Sequence, residues 1–358
     1  MRIAFDVSPL SHERTGVNNY IRGSLAGLAE VCAERGHSVV AFAPTSPGGR
    51  RAIPQALAGI DVEVRLVPLP GAHGWRTAWS ALGRPAAERW LGPFDVLHFT
   101  DWMYPPQRGG VRATTIHDLV PLHHPEWTTG RTRAMHGRKY RNAARTCDVI
   151  FANSAFTADD VAATLGFPRE HVLVAHPGLA PEFGAEGPVA TLDEPYVLTV
   201  ATLEPRKNLG TLVDAFALLG DSGLSLAVVG GTGWGEQPRL DRPGVVRLGR
   251  VADEQLAALY RGAAAVVYPS RFEGFGMPII EAMACGAPVV ASAHPSLDEA
   301  SGDAAIRADP ESPEAIAAAV RTAMENAVAL RAKGLAHAAR FSWRRVGEVF
   351  LEGYERYR

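Results

Sequence analysis

The sequence predicts an α/β protein of two domains, each a doubly wound parallel sheet with helices on both faces. The chain has 358 residues, which exceeds the size at which a single hydrophobic core usually stops growing. In both halves, apolar runs of strand length alternate with helical periodicity, as in parallel sheets that are buried on both faces. Residues 177–195 lie between the halves and are rich in proline, glycine and acids, which is typical of a linker.

The first half begins with a predicted strand, a loop that contains Gly16, and a helix. Residues 2–8 are apolar and β-branched, residues 17–35 carry apolar side chains at helical spacing, and Gly36 follows as a helix-ending glycine. Further buried strands are predicted at 38–43, 62–67, 95–100, 113–119, 148–153 and 171–175. Together these elements predict a Rossmann-like domain over residues 1–178.

The second half repeats the alternation after a linker at 179–195. Strands are predicted at 196–202, 224–229, 245–248, 264–269, 288–292 and 304–307. They predict a second Rossmann-like domain over 196–341. The last segment, 342–358, is predicted to be a helix because Trp343, Val346, Phe350 and Tyr354 recur every three or four residues. Such an amphipathic helix needs an apolar surface on which to dock.

Charge and composition restrict the classes of function. The formal net charge is −2, which gives no global attraction to nucleic acid. No apolar run approaches the roughly 18 residues of a membrane span, and the N-terminus has neither the apolar core nor the cleavage site of a signal peptide. The three cysteines are widely spaced, which indicates reduced thiols rather than a disulfide framework or a zinc site. We therefore expect a cytoplasmic protein.

Two glutamates mark the densest group of candidate site residues. Glu273 follows the predicted strand 264–269, and Glu281 lies in a helix that Pro278 opens and Gly286 ends. Even on one continuous helix, eight residues would separate the two acids by about 12 Å, so we expect them to hold different parts of one ligand. Each carboxylate can accept hydrogen bonds from a vicinal diol. A turn followed by a helix-capping acid is the alternative interpretation.

Phosphate-binding groups are predicted on both sides of this acid pair. The loop Gly274, Phe275 and Gly276 would present backbone N–H groups at a helix N-terminus, where anions bind. Arg206 and Lys207 follow the strand 196–202, at the sheet edge where ligands of parallel sheets lie. Two adjacent cations can neutralise a diphosphate leaving group as its charge grows. Solvated surface cations are the alternative.

These segments resemble a known enzyme family. EGFGMPIIEAMACGAPVVAS and ATLEPRKNL resemble the donor-site motif and the pyrophosphate loop of the family-4 retaining glycosyltransferases. The resemblance implies the GT-B fold, in which two Rossmann-like domains face each other across a cleft and a C-terminal helix crosses back to the N-terminal domain. It implies a nucleotide sugar as co-substrate, no cofactor, and transfer with retention without a metal ion. It assigns the diphosphate to Arg206 and Lys207, the donor sugar to Glu273, and the nucleotide ribose to Glu281.

The same resemblance identifies candidates in the N-terminal half. Gly16 corresponds to a glycine that lets the backbone approach donor and acceptor, although many relatives carry a glycine pair where this chain has Arg14-Thr15-Gly16-Val17. His117 matches the active-site histidine that hydrogen-bonds the donor sugar. From their positions alone, Asp118, and His98 with Asp101 on the neighbouring strand end, are predicted to line the acceptor side. A buried histidine with satisfied ring nitrogens is the alternative for His98.

Two further features bear on the substrates. The loop ATLEPRKNL resembles that of enzymes which transfer mannose or related sugars in polysaccharide assembly, so GDP-mannose is the expected donor, with UDP-sugars as the alternative. The stretch 131–145 contains Arg131, Arg133, Arg138, Lys139, Arg141 and Arg145 and no acid. A peripheral membrane contact or an anionic acceptor is predicted there, and a solvated helix face is the alternative.

Other classes of protein remain as alternatives to a transferase. A nicotinamide dehydrogenase is disfavoured because no strand is followed by G-x-G-x-x-G. A hydrolysing nucleotide-sugar epimerase would share the architecture, and a phosphorylase would need a lysine-bound pyridoxal phosphate. A non-catalytic nucleotide-sugar-binding protein, similar to two-domain periplasmic receptors, would be expected to carry an export signal.

Overall fold

A computed structural model describes residues 1–12, 15–69, 71–100, 102–220, 222–235 and 238–358. The chain divides into two compact units. The first unit comprises Met1–Gly178 and Ser342–Arg358, and the second unit comprises Leu179–Phe341. Both units contain a parallel sheet, so the predicted pair of doubly wound α/β domains is confirmed.

The described part of the first unit forms a seven-stranded sheet in the order β3-β2-β1-β4-β5-β6-β7. The strands are β1 (Arg2–Asp6), β2 (Ser38–Thr45), β3 (Glu63–Pro68), β4 (Val96–Phe99), β5 (Val111–Ile116), β6 (Val149–Ala152) and β7 (Val172–Val174). The helices are α1 (Gly16–Glu34), α2 (Gly49–Ala56), α3 (Ala72–Leu82), α4 (Glu88–Leu91), α5 (Val120–His123), α6 (Gly130–Thr146) and α7 (Ala155–Leu165).

The second unit contains a six-stranded sheet in the order β10-β9-β8-β11-β12-β13. Its strands are β8 (Tyr196–Val200), β9 (Ser225–Val229), β10 (Val245–Gly249), β11 (Ala265–Tyr268), β12 (Val289–Ser292) and β13 (Ala305–Ala308). Its helices are α8 (Leu209–Ala217), α9 (Asp253–Gly262), α10 (Met277–Ala284), α11 (Asp298–Ser301), α12 (Pro313–Glu325) and α13 (Ala327–Ala338). In each sheet the order of the parallel strands reverses between two central strands, β1 and β4 in the first unit and β8 and β11 in the second. Such a switch point leaves a crevice at the carboxyl ends of the strands.

The C-terminal helix α14 (Trp343–Tyr357) belongs to the first unit and packs along α1. Val346, Phe350 and Tyr354 are fully buried in the core that α1 and α14 form on one face of the sheet. The two helices approach so closely that a Cβ on Gly27 would collide with the carbonyl group of Trp343. The helix periodicity in the sequence therefore corresponds to a genuine buried stripe.

The segment 179–195, predicted as a linker, packs on the second unit. The guanidinium of Arg261 donates hydrogen bonds to the carbonyl oxygens of Glu182 (2.9 Å), Gly184 (2.7 Å) and Pro188 (3.0 Å). The N–H of Ala190 donates to the carbonyl oxygen of Ala258 at 2.9 Å. This proline- and glycine-rich segment forms no helix or strand, so its backbone polar groups need other hydrogen-bond partners. Ala258 and Arg261 of helix α9 supply such partners and hold the segment in place.

Candidate active site

The cationic loop of the second unit is a single 3₁₀ turn, Pro205–Lys207, beyond the end of β8. It ends at Asn208, whose backbone is left-handed with φ 58°, a conformation that asparagine tolerates better than most residues. The Nδ2 of Asn208 donates to the carbonyl oxygens of Pro269 (3.2 Å) and Pro310 (2.6 Å). These bonds fix the turn against the end of β11, where the acid motif begins.

The structure joins the cationic loop to the acid motif through a buried ion cluster. Glu273 accepts from Lys207 Nζ at 2.6 Å through Oε1 and pairs with Arg206 Nη1 at 2.7 Å through Oε2. Arg206 Nε also pairs with Glu204 at 3.0 Å, and Lys207 Nζ donates to the hydroxyl of Tyr268 at 2.7 Å. Glu273 and Lys207 expose only 7% and 8% of their surfaces. Sequence reasoning placed these groups in one site but did not predict that they contact each other.

The cluster determines the charge of its members. Burial raises the pKa of Glu273, but the charges and hydrogen bonds of Arg206 and Lys207 outweigh burial and lower that pKa to about 2. Burial lowers the pKa of Lys207, and the Glu273 carboxylate opposes this effect. For Glu204, burial raises the pKa despite both cations. Glu273 is therefore ionised at neutral pH and is suited to accept hydrogen bonds from sugar hydroxyls.

The second acid, Glu281, lies on α10 as predicted, and Glu273 lies in the preceding loop. Helix α10 begins after Gly276, whose φ of 99° is a conformation that side-chain-bearing residues rarely adopt. Glu281 is 7% exposed, and its Oε2 accepts from the hydroxyl of Tyr260 at 3.2 Å. Gly274 and Phe275 are buried, and the Phe275 ring packs against Phe341 with centroids 5.4 Å apart. The Phe275 side chain thus anchors the loop in the core, so only the backbone of Phe275 is available to contact a ligand.

In the first unit, His117 follows the last residue of β5. Its Nε2 is buried and has no hydrogen-bond partner in the described residues. The ring packs edge-on against Tyr20 of α1, with centroids 4.9 Å apart. Burial, followed by the charges of Lys139 and His136, lowers the pKa of His117 to about 3. A neutral imidazole at this strand end can donate or accept a hydrogen bond without adding charge.

Asp118, the next residue, serves the local fold. Its Oδ1 accepts from the N–H of Val120 at 3.0 Å at the start of α5, and its carbonyl oxygen accepts from Tyr140 at 3.0 Å. Gly16 was predicted in the loop before the helix, which is wrong by one residue: it is the first residue of α1, and the Thr15 hydroxyl caps that helix. Asp101 lies outside the described residues.

The prediction that His98 lines the acceptor side is wrong. His98 lies within β4 and is fully buried. Its Nδ1 contacts the Tyr354 hydroxyl at 2.6 Å and its Nε2 contacts the Thr115 hydroxyl at 2.9 Å. Both ring nitrogens are therefore satisfied inside the core, where His98 ties α14 to the sheet.

The basic stretch 131–145 forms most of α6 and has two different faces. Its five arginines are exposed, whereas Lys139 is only 3% exposed. Lys139 Nζ donates to the carbonyl oxygens of Thr115 at 2.8 Å and Thr100 at 3.5 Å, at the ends of β5 and β4. Helical spacing could have identified it, because Lys139 shares the buried face with Tyr140 and Ala143.

Acidification is expected to destabilise the first unit. The unfolded chain protonates His98 near the ordinary pKa of ~6.5, whereas burial, then the charge of Lys139, keeps that pKa well below 6.5 in the folded chain. The unfolded state therefore binds more protons below about pH 6.5, and the free energy of unfolding falls as the pH decreases from there. Each histidine of this kind contributes up to ~1.4 kcal/mol per pH unit. Urea unfolding between about pH 7 and about pH 5 measures the slope.

The control for this prediction is His98→Gln, which keeps hydrogen-bonding groups beside Tyr354 and Thr115 but does not titrate. Its stability at neutral pH is expected to be lower because the bond geometry changes. Its slope with pH should be shallower than that of the wild type by up to ~1.4 kcal/mol per pH unit. Equal slopes in both proteins would contradict the prediction.

The described residues contain no group of three or more His, Cys, Asp or Glu side chains that could hold a metal ion. Among the helices formed by those residues, none has both the length and the apolar character needed to cross a membrane.

Comparison with solved structures identifies the fold. The fold matches a sucrose-phosphate synthase from Thermosynechococcus elongatus with a TM-score of 0.72, at 20% identity, over 99% of this chain and 98% of that chain. It also matches HepE from Anabaena, solved in complex with UDP-glucose, with a TM-score of 0.70 at 19% identity over 98% of each chain. The chain has the GT-B fold.

Sequence comparison gives the family. Residues 16–183 match the model described as Glycosyltransferase Family 4, and residues 194–326 match the model described as Glycosyl transferases group 1. An O-antigen chain mannosyltransferase B from Escherichia coli is 31% identical over 287 residues, which cover 73% of this chain and 74% of that protein. The chain belongs to the family-4, or group 1, glycosyltransferases, and the family resemblance inferred from the acid motif and the cationic loop is confirmed.

Proposed function

We propose that this glycosyltransferase transfers mannose from GDP-mannose to a hydroxyl group of a glycan, lipid-linked or small-molecule acceptor, with retention of configuration and without a metal ion. The buried cluster of Glu273, Arg206 and Lys207 is the observation that carries the proposal. Mannose is supported by the similarity to the O-antigen chain mannosyltransferase and by the loop 201–209. The site combines cations for a diphosphate with an ionised carboxylate for a sugar.

Catalysis in this proposal depends on stabilising the leaving group. Arg206 and Lys207 bind the departing diphosphate together with the backbone N–H groups before α10, so that its growing negative charge is neutralised. Glu273 holds hydroxyls of the donor sugar, Glu281 binds the ribose, and neutral His117 hydrogen-bonds the sugar near the reacting carbon.

Retention follows from where the proton goes. The bond between the anomeric carbon and the phosphate oxygen breaks, and the acceptor oxygen bonds to the same face of that carbon. The acceptor's proton passes to the phosphate oxygen that has just been released. This route requires neither a general base on the opposite face nor a carboxylate nucleophile, and the sequence offers no unambiguous candidate for either.

Two measurements test the proposal. Thermal shifts with GDP, UDP, dTDP and ADP identify the base, since a ligand at 100 times its Kd stabilises by about 2.7 kcal/mol. GDP should give the largest shift. Product NMR after reaction of GDP-mannose with a mannoside acceptor in excess EDTA should show an α-linkage, read from the one-bond carbon–proton coupling at the anomeric carbon. A β-linked product or loss of turnover on chelation would contradict retention or metal independence.

The same reaction without acceptor separates the alternatives. A hydrolysing epimerase would release nucleotide and an epimerised sugar at full rate without acceptor, and a binding protein would turn over no donor.

Contact of the exposed arginines of α6 with an anionic membrane surface stays a prediction, which sedimentation with anionic and neutral vesicles can test.

A further inference from the structure

Two neighbouring strand ends in the first unit carry matching polar residues. Strands β5 and β6 are parallel partners, and their last paired residues are Ile116 and Ala152. His117 and Asn153 are the next residues on each strand. They therefore hold equivalent positions just beyond the carboxyl edge of the sheet, where ligands of such sheets bind.

Both residues contain a buried polar atom that no described residue hydrogen-bonds. Asn153 is only 8% exposed, and neither its Oδ1 nor the Nε2 of His117 has a hydrogen-bond partner in the described part of the chain. A buried polar group without a partner typically costs a fold about 1–3 kcal/mol, so native proteins contain few of them. Two such atoms on adjacent strand ends indicate a polar ligand that satisfies both.

The local fold does not require either atom. The Ser154 hydroxyl caps α7 by accepting from the N–H of Thr157 at 3.0 Å. The Thr157 hydroxyl donates to the carbonyl oxygen of His117 at 3.4 Å, and Tyr20 packs against the His117 ring. Other groups thus hold the backbone at both strand ends, which leaves the two side-chain atoms for a ligand.

We propose that Asn153 and His117 together form a binding site for a sugar hydroxyl. The hydroxyl donates its proton to Oδ1 of Asn153 and accepts from Nε2–H of His117. This proposal rests on the proposed function and adds Asn153 as a second binding residue beside the histidine. A hydroxyl can donate and accept at once, whereas an ionised phosphate or carboxylate only accepts. The pair therefore selects a neutral polyol over an anion.

The hydroxyl can come from the donor sugar or from an acceptor sugar, and different probes distinguish these sources. GDP-mannose compared with GDP reports the donor sugar, because the two ligands differ only in the mannose. Methyl α-D-mannoside reports an acceptor sugar without any nucleotide. Calorimetry gives the affinities of the nucleotides, and ligand-observed NMR gives that of the mannoside.

The test variant is Asn153→Leu, which has similar size and no polar atoms. We expect it to bind GDP-mannose or the mannoside about 10-fold more weakly than the wild type, the loss of one well-made hydrogen bond, and to bind GDP unchanged. Its melting temperature should equal or exceed that of the wild type, because the substitution removes a buried amide whose oxygen no described residue hydrogen-bonds. Weaker sugar binding with undiminished stability is a result that damage to the fold would not produce.

Two further variants serve as controls. Asn153→Asp keeps an acceptor oxygen at the same place and should bind within about 3-fold of the wild type. Ser154→Ala removes the cap of α7 without changing either proposed contact, and should lower stability by about 1 kcal/mol while sugar binding is unchanged.

Several outcomes would overturn the proposal. One is an Asn153→Leu protein that binds both mannose probes as tightly as the wild type does. Another is a Ser154→Ala protein that loses sugar binding to the same extent as Asn153→Leu. A wild-type protein that binds neither mannose probe would also refute a hydroxyl site for this sugar. Failure of the proposed donor is a separate result: the wild type would bind no GDP, while its affinity for the mannoside would still depend on Asn153.

Discussion

Replacing Glu273 by glutamine is expected to lower turnover of GDP-mannose by about 100-fold or more, the usual effect of removing one preorganised electrostatic group from an active site. The neutral amide also leaves buried Lys207 and Arg206 without their shared carboxylate. Breaking a buried ion pair typically costs ~3–5 kcal/mol, so thermal unfolding of the second unit should shift downward. Steady-state kinetics and melting curves measure the two effects separately.

Two variants serve as controls for Glu273→Gln. Glu311→Gln removes a carboxylate that pairs with Arg271 on the surface, at 2.6 and 3.0 Å, and exposed pairs contribute only ~0–1 kcal/mol. It should keep full turnover. Glu281→Gln should mainly weaken GDP binding, whereas Glu273→Gln should leave it nearly unchanged. Equal loss of GDP affinity in both acid variants would contradict the separate roles of sugar and ribose binding.

Replacing Phe350 by alanine is expected to lower the free energy of unfolding of the first unit by ~3–5 kcal/mol, the typical cost of removing a buried phenylalanine ring. Phe350 is fully buried on α14. Its ring centroid lies 4.5 Å from that of Phe151 on β6 and 4.9 Å from that of His98 on β4. The substitution therefore opens a cavity where α14 meets the sheet. Urea denaturation followed by fluorescence measures the loss.

Val328→Ala is the matched control for Phe350→Ala. Val328 is 86% exposed on α13, so the loss of its two methyl groups should change stability by less than ~0.5 kcal/mol.

Truncation after Ser342 removes all of α14 and should destabilise the first unit more than Phe350→Ala does. A truncated protein with the stability and activity of the full chain would show that α14 is dispensable.

Features that depend on local patterns could be predicted from the order of the amino acids alone. Pro278 favours the first turn of a helix, and Gly286 favours the end of one. The placement of Glu273 in a loop and of Glu281 on α10 could therefore be predicted from these two residues. The helical period of Trp343, Val346 and Phe350 likewise predicted α14. Continuous apolar runs predicted parallel sheets because only strands covered on both faces tolerate them.

Contacts between polar groups, in contrast, depend on how distant segments pack together. Lys207 and Glu273 are 66 residues apart in the chain, and no local pattern shows that β8 and β11 are neighbours whose following loops bring these charges within 2.6 Å. His98 and His117 both lie at or near strand ends in the sequence, but one is held in the core by Tyr354, which is 256 residues away. The other has a buried nitrogen that finds no hydrogen-bond partner among the residues the structure describes. Burial and pairing of a polar side chain depend on packing between distant segments, and that packing arises only when the sheet and α14 are assembled.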